Sequence, residues 1–123
     1  MSNVSKIYSN GSVALSDITV DIATGDFVFF VGPSGAGKST FVKLIFREEL
    51  PTTGQIFVNG RDITTLKPAE VPYLRRSLGT VFQDFRLLLN KTVYENVAFA
   101  MQVIEAPHRE IQKRVSLVLD LVG

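Results

Sequence analysis

The stretch Gly32 to Thr40 reads GPSGAGKST, and the six residues before it, Asp26 to Val31, read DFVFFV. No other feature constrains the fold so tightly. The apolar run is short, rich in aromatic and β-branched residues, and flanked by glycine. That composition predicts a strand buried on both faces, as in a parallel sheet. Beyond the glycines, Lys38 to Glu49 places Phe41, Leu44, Ile45 and Glu48 at helical spacing, so a helix is expected there. Strand, glycine-rich turn, helix is the context in which G-x-x-x-x-G-K-[ST] acquires a meaning. Gly32, Gly35 and Gly37 allow the backbone to curl until successive N–H groups face inward, toward phosphate oxygens. The partial positive charge of the helix N-terminus falls on the same spot. Lys38 can reach terminal phosphates, and Ser39 can offer a hydroxyl to Mg²⁺.

The whole chain sets outer bounds. Its 123 residues allow one domain at most, and 46% apolar residues suffice for a core. A net charge of +1 gives no bulk electrostatic reason to expect nucleic acid or a membrane surface as partner. With no cysteine there is neither a disulfide nor a thiolate metal site, which suits a reducing compartment. The lone His108, beside Pro107, reads as a surface residue at a helix start. No apolar run approaches a membrane span, and the N-terminus lacks a signal-peptide pattern.

Along the chain, Ile18, Val20 and Ile22 alternate within a half-exposed strand expected over Val13 to Ile22. After the phosphate loop and its helix come a turn at Pro51–Gly54, a strand over Gln55–Val58 and a turn at Asn59–Gly60. Pro68 opens a short helix toward Arg75 and Arg76. Leu78 to Phe82 reads as another strand, with Gln83 and Asp84 at its C-terminal end, where ligands of open α/β sheets gather. Thr92-Val-Tyr-Glu95 is a capping box that opens a helix. From Pro107 onward, Ile111, Val115, Val118, Leu119 and Val122 form one apolar helical face.

Three further segments, KIYSNGSVAL upstream of the loop, PTTGQIFVNGRDIT after its helix and VFQD at residues 81–84, complete a set. Together these motifs resemble the nucleotide-binding subunits of ABC transporters. VPYLRRSLGTVFQD and LLNKTVYENVAFAM resemble more narrowly the cell-division branch of that family, and the likeness runs from about residue 3 to the last residue. The resemblance implies an α/β P-loop NTPase fold of the ABC ATPase type. Residues 1–123 would be the N-terminal portion of a single nucleotide-binding domain: an N-terminal β segment plus the start of a parallel-sheet core. It implies ATP and Mg²⁺ as cofactors. Gly32, Pro33, Ser34, Gly35, Ala36, Gly37, Lys38, Ser39 and Thr40 would hold the phosphates, Ser39 and Gln83 the metal, and Tyr8 would stack on the base. Lys38 and Gln83 would serve catalysis. The implied partners are an integral membrane subunit and, in the intact protein, a second copy around two ATP molecules, with no nucleic acid. The location implied is the cytoplasmic face of the membrane.

Departures from the family pattern shape a second set of expectations. The signature segment of type LSGGQ, the Walker B aspartate with its catalytic glutamate, the D-loop and the switch histidine are absent from these residues. Leu117-Val-Leu-Asp120 imitates a Walker B strand, yet its neighbours fit a helical period. Asn90-Lys91 would need an aspartate at position 93 to read guanine, and valine stands there. In the family the phosphate-loop strand is central, so Phe27 to Val31 are expected to lack strand partners here. These 123 residues alone are accordingly not expected to hydrolyse ATP. Two other readings stay open: a P-loop small-molecule kinase and a nucleotide-binding module without turnover. Taken without the family, Tyr8 is an ordinary edge-strand aromatic and Gln83 a polar strand end.

Overall fold

In the computed structural model, which describes residues 1–123, the chain divides into two units, Met1–Leu78 and Gly79–Gly123. The first begins with strands β1 (Ser2–Ile7) and β2 (Val13–Ile18), joined by a reversal in which the Tyr8 N–H donates to Ser12 O at 2.9 Å. A third strand, β3 (Thr53–Gln55), pairs with the other edge of β1. The order is β2-β1-β3 and both pairings are antiparallel. Strand alternation turns Val4 of β1 and Leu15 of β2 toward one core. Helix α1 (Lys38–Ile45) contributes Phe41 and Leu44, three positions apart on one face. Ile56, Ile63 and Leu66 close that core from the following segment. Burying side chains such as Leu44 and Val4 completely is worth roughly 1.5–3 kcal/mol each.

Two short strands, β4 (Phe57–Val58) and β5 (Arg61–Asp62), form a hairpin around Asn59 and Gly60. Both turn residues have positive φ, 50° and 75°, as a tight two-residue hairpin requires. Two arginines tie the end of α1 to its surroundings. Arg47, at φ 56°, donates Nε to Ile63 O at 2.9 Å and Nη2 to Thr64 O and Leu66 O at 3.3 Å. Arg75 donates to Phe46 O and Arg47 O from α2 (Val71–Arg76), which follows a single 3₁₀ turn at Pro68–Glu70.

The second unit is a pair of packed helices, α3 (Val93–Val103) and α4 (His108–Val122), with Ala98, Ile111 and Val115 forming its buried cluster. The capping box at α3 forms as expected, with Glu95 N–H donating to Thr92 Oγ1 and Thr92 N–H to Glu95 Oε2. Asn96 clamps the approach to this helix. Its amide group accepts from Leu88 N–H and donates to Leu88 O, Lys91 O and Thr92 O. Leu117–Asp120 lies inside α4, in keeping with its helical period. No helix is long and apolar enough to cross a membrane.

Several sequence expectations shift. Asp26 to Val31 forms no strand, because a strand needs a neighbour for its N–H and C=O groups and none pairs with it. The run nevertheless keeps a two-residue alternation. Phe27, Phe29 and Val31 are 84%, 77% and 88% exposed, while Val28 and Phe30 are half-covered, and the Phe30 ring packs on Phe41 of α1 at 4.2 Å. Leu78 to Phe82 likewise pairs with nothing, so Gln83 sits in a turn, not at a strand end. The helix after the phosphate loop stops at Ile45, short of Glu49, because Arg47 enters the left-handed region to reach its three carbonyls. The strand expected to reach Ile22 ends at Ile18, and Gln55–Val58 splits at Ile56, whose side chain turns into the core.

Candidate functional site

Residues 32–40 form a loop that runs into α1 with Gly37 as its N-cap. Gly35 and Gly37 hold φ of 82° and 83°, a region that side-chain-bearing residues rarely occupy. Gly37 also has no room for a side chain, since a Cβ there would run into Ala14 O and lie 2.8 Å from Leu15 Cδ2. Glycine is therefore what lets α1 start against β2. No side chain caps this helix, and its first main-chain closure is Phe41 N–H to Gly37 O at 2.8 Å. The N–H groups of the first turn thus point out of the helix end without an intrahelical acceptor. No acidic residue stands in that turn to repel an anion.

A hollow of about 320 Å³ opens over this helix start, walled by Tyr8, Ser12–Ala14 and Ser34–Thr40. Lys38 is the only charged side chain on its wall. Its Nζ donates to Gly32 O at 2.6 Å and Pro33 O at 2.7 Å, which draws the ammonium across the mouth of the loop. Ser34 and Ser39 are exposed on the rim, whereas Thr40 is buried and shares a 3.2 Å hydrogen bond with the Tyr8 hydroxyl. An aromatic ring, a cation and free backbone N–H groups therefore share one cavity. Those are complementary to a flat base and a chain of phosphates.

The expected residues Gly32 to Thr40 and Tyr8 fall together in the first unit. Gln83 belongs to the second unit, exposed in the turn where Phe85 N–H donates to Phe82 O at 3.3 Å. Arg86 braces that turn, with its guanidinium 3.6 Å from the Phe82 ring centre and 3.6 Å from Asp84 Oδ1. The exposed Ser39 hydroxyl is a hard oxygen donor of the kind Mg²⁺ takes alongside phosphate oxygens, and no group of three His, Cys, Asp or Glu side chains converges to hold an ion. In the first unit the Ser39 hydroxyl would be the side-chain oxygen offered to such an ion. Lys6, which is not among the expected site residues, places its ammonium 5.1 Å from the centre of the Tyr8 ring. Its signal was present: two places before Tyr8 on an extended chain is the same face.

The chain matches a family model described as ABC transporter over residues 15–123. It is 57% identical over 122 residues to the cell division ATP-binding protein FtsE of Bacillus subtilis (strain 168), covering 99% of this chain and 54% of that protein. To FtsE of Escherichia coli (strain K12) it is 48% identical over 121 residues, covering 98% and 54%. Among solved structures it resembles the ATP-binding cassette MJ0796, described as a dimer in a post-hydrolysis state bound to ADP and Pi. The TM-score is 0.83 at 32% identity, covering 97% of this chain and 54% of that one. The chain spans about half the length of the curated relatives it matches.

Proposed function

Because this chain belongs to the ABC transporter family, we propose that it is the N-terminal portion of an FtsE-like nucleotide-binding domain. The intact protein would be an ATPase that works as a homodimer on the cytoplasmic face of the membrane. It would couple ATP binding and hydrolysis to an FtsX-like integral membrane subunit in cell division. Within that reading, the first-turn N–H groups of α1 and the loop backbone orient the phosphates. Lys38 Nζ exchanges its contacts with Gly32 O and Pro33 O for phosphate oxygens. By resemblance to the family, Ser39 and Gln83 would be ligands of a Mg²⁺ ion, whose chemistry would be to neutralise phosphate charge. Tyr8 stacks on the adenine.

One observation carries this reading: Tyr8, Lys38 and the uncapped start of α1 line a single hollow. The test is calorimetric titration of the full-length protein with Mg-ATP. Lys38→Ala is expected to weaken ATP affinity at least about tenfold, or about 1.4 kcal/mol. Equal affinity in the two proteins would remove the phosphate-binding role of the loop.

A further inference from the structure

Lys6 stands in a setting that its place on a surface strand does not require. Its side chain is only 12% exposed, and its Nζ donates to Glu49 Oε2 and Leu50 O, both at 2.8 Å. The hydrogen bond from Lys6 holds the Glu49 carboxyl below its ordinary value. Those two contacts hold the ammonium in place, and its nitrogen lies over the Tyr8 ring, 5.1 Å from the ring centre. Tyr8 is held at two further points. Its hydroxyl meets Thr40 in the first turn of α1, and its backbone closes the reversal onto Ser12. Tyr8 lines the hollow over the phosphate loop, while Lys6 does not.

We propose that Lys6 is a positioning residue for the nucleotide base: it occupies one face of the Tyr8 ring and fixes the plane on whose other face the base stacks. The inference rests on the nucleotide reading above and adds a residue to it. A cation over an aromatic face is attracted by the ring quadrupole, more strongly where water is partly excluded, as it is here. A tyrosine held on one face and at its hydroxyl has lost its rotamer freedom before the ligand arrives, so less ordering remains to be done on binding. Thr40 extends the arrangement, because the ring then moves with the helix that presents the phosphate-binding N–H groups.

The ligands that test this are ATP and inorganic tripolyphosphate, each with Mg²⁺, titrated by calorimetry into full-length protein. Tripolyphosphate has no base and reports the phosphate loop alone. Lys6→Met is expected to weaken ATP roughly five- to thirtyfold and to leave tripolyphosphate within about twofold. Lys6→Arg is expected to restore most of the ATP affinity, since a guanidinium also rests on aromatic faces. In a Tyr8→Leu background Lys6→Met should have no further effect, because the two residues act through one ring. Should Lys6→Met fail to fold, Glu49→Gln keeps the lysine but loosens its anchor, and the same selective loss for ATP is expected at smaller size. Parallel losses for both ligands, or an unchanged ATP affinity, would overturn the positioning role while leaving the nucleotide reading intact. A wild-type protein that binds neither ligand would remove that reading, and this inference with it.

Discussion

Gly35 and Gly37 offer a controlled comparison inside one loop. Both hold φ close to 82°, so replacing either with alanine places a side chain in the left-handed region at a cost of about 1–2 kcal/mol. Both replacements also stiffen the unfolded chain alike, which cancels in their difference. Their surroundings are opposite. A Cβ at Gly35 would meet nothing within 4 Å, while one at Gly37 would press on the Ala14 carbonyl and sit 2.8 Å from Leu15 Cδ2. Leu15 belongs to the core and the Ala14 carbonyl is backbone, so neither can step aside freely. Relieving such overpacking costs typically about 1–3 kcal/mol, and α1 must move away from β2 to do it. Gly37→Ala should therefore destabilise the full-length protein by about 1–3 kcal/mol more than Gly35→Ala. Urea unfolding of both variants reads this directly as a gap between midpoints, on the order of 1 M for a typical slope. Gly37→Ala should also open the hollow between Ala14 and the loop and lower tripolyphosphate affinity beyond the loss at Gly35. If the two midpoints coincide, the close approach of loop to β2 is wrong, and with it the account of how the hollow is walled.

Two further outcomes are expected from the polar contacts around the first core. Arg47→Ala removes donors from the carbonyls of Ile63, Thr64 and Leu66 and should cost about 2–4 kcal/mol in urea unfolding; Arg47→Lys should recover less than half, because an ammonium cannot reproduce the guanidinium fork. Hydrogen bonding from the Thr64 hydroxyl, ahead of its backbone N–H and Gln55, holds the Asp62 carboxyl below its ordinary value of 3.8. The unfolded chain then takes up the proton first as pH falls, so the stabilisation is whole above the ordinary value and is lost through the lower folded one. The stability difference between wild type and Asp62→Asn, measured by urea unfolding, should be constant above about pH 5 and shrink below pH 4. A difference that does not change down to pH 3 would show that the carboxylate contacts are not formed in solution.

What was legible in the sequence was local. The phosphate loop is written in nine consecutive residues, and the special backbone of Gly35 and Gly37 follows from their lack of a side chain. The capping box of α3 needs only Thr92 and Glu95, and the apolar face of α4 only its own period. The Asn59–Gly60 turn likewise carries its own instruction. The misplaced features all depend on distant partners. Arg47 ends α1 early by reaching carbonyls 16 to 19 residues away, and no window of sequence around Glu48 or Glu49 announces that. Lys6 acquires its place through Glu49 and Leu50, more than forty residues on, although its spacing from Tyr8 was visible.

The sharpest case is Phe27 to Val31. A helix satisfies its own backbone, so α1 can form wherever its sequence allows and its inward face is covered. A strand is a relation between segments: its composition can mark the residues, but only a neighbour turns them into a strand. Here the side chains still alternate, with Phe30 laid on Phe41 and the Phe27 and Phe29 rings edge to face at 4.9 Å on the other side. The two-residue alternation of a strand is thus present while its pairing is not. Burying the more exposed face, at roughly 1.5–3 kcal/mol for each large apolar side chain, would supply a sizeable part of a domain's stability. The loop that follows depends on that run only for where it starts. Its own shape comes from the glycines, from β2 at its back and from Lys38 across its mouth, all within the first unit. That is why the loop over residues 32–40 is shaped although the strand leading into it is not paired.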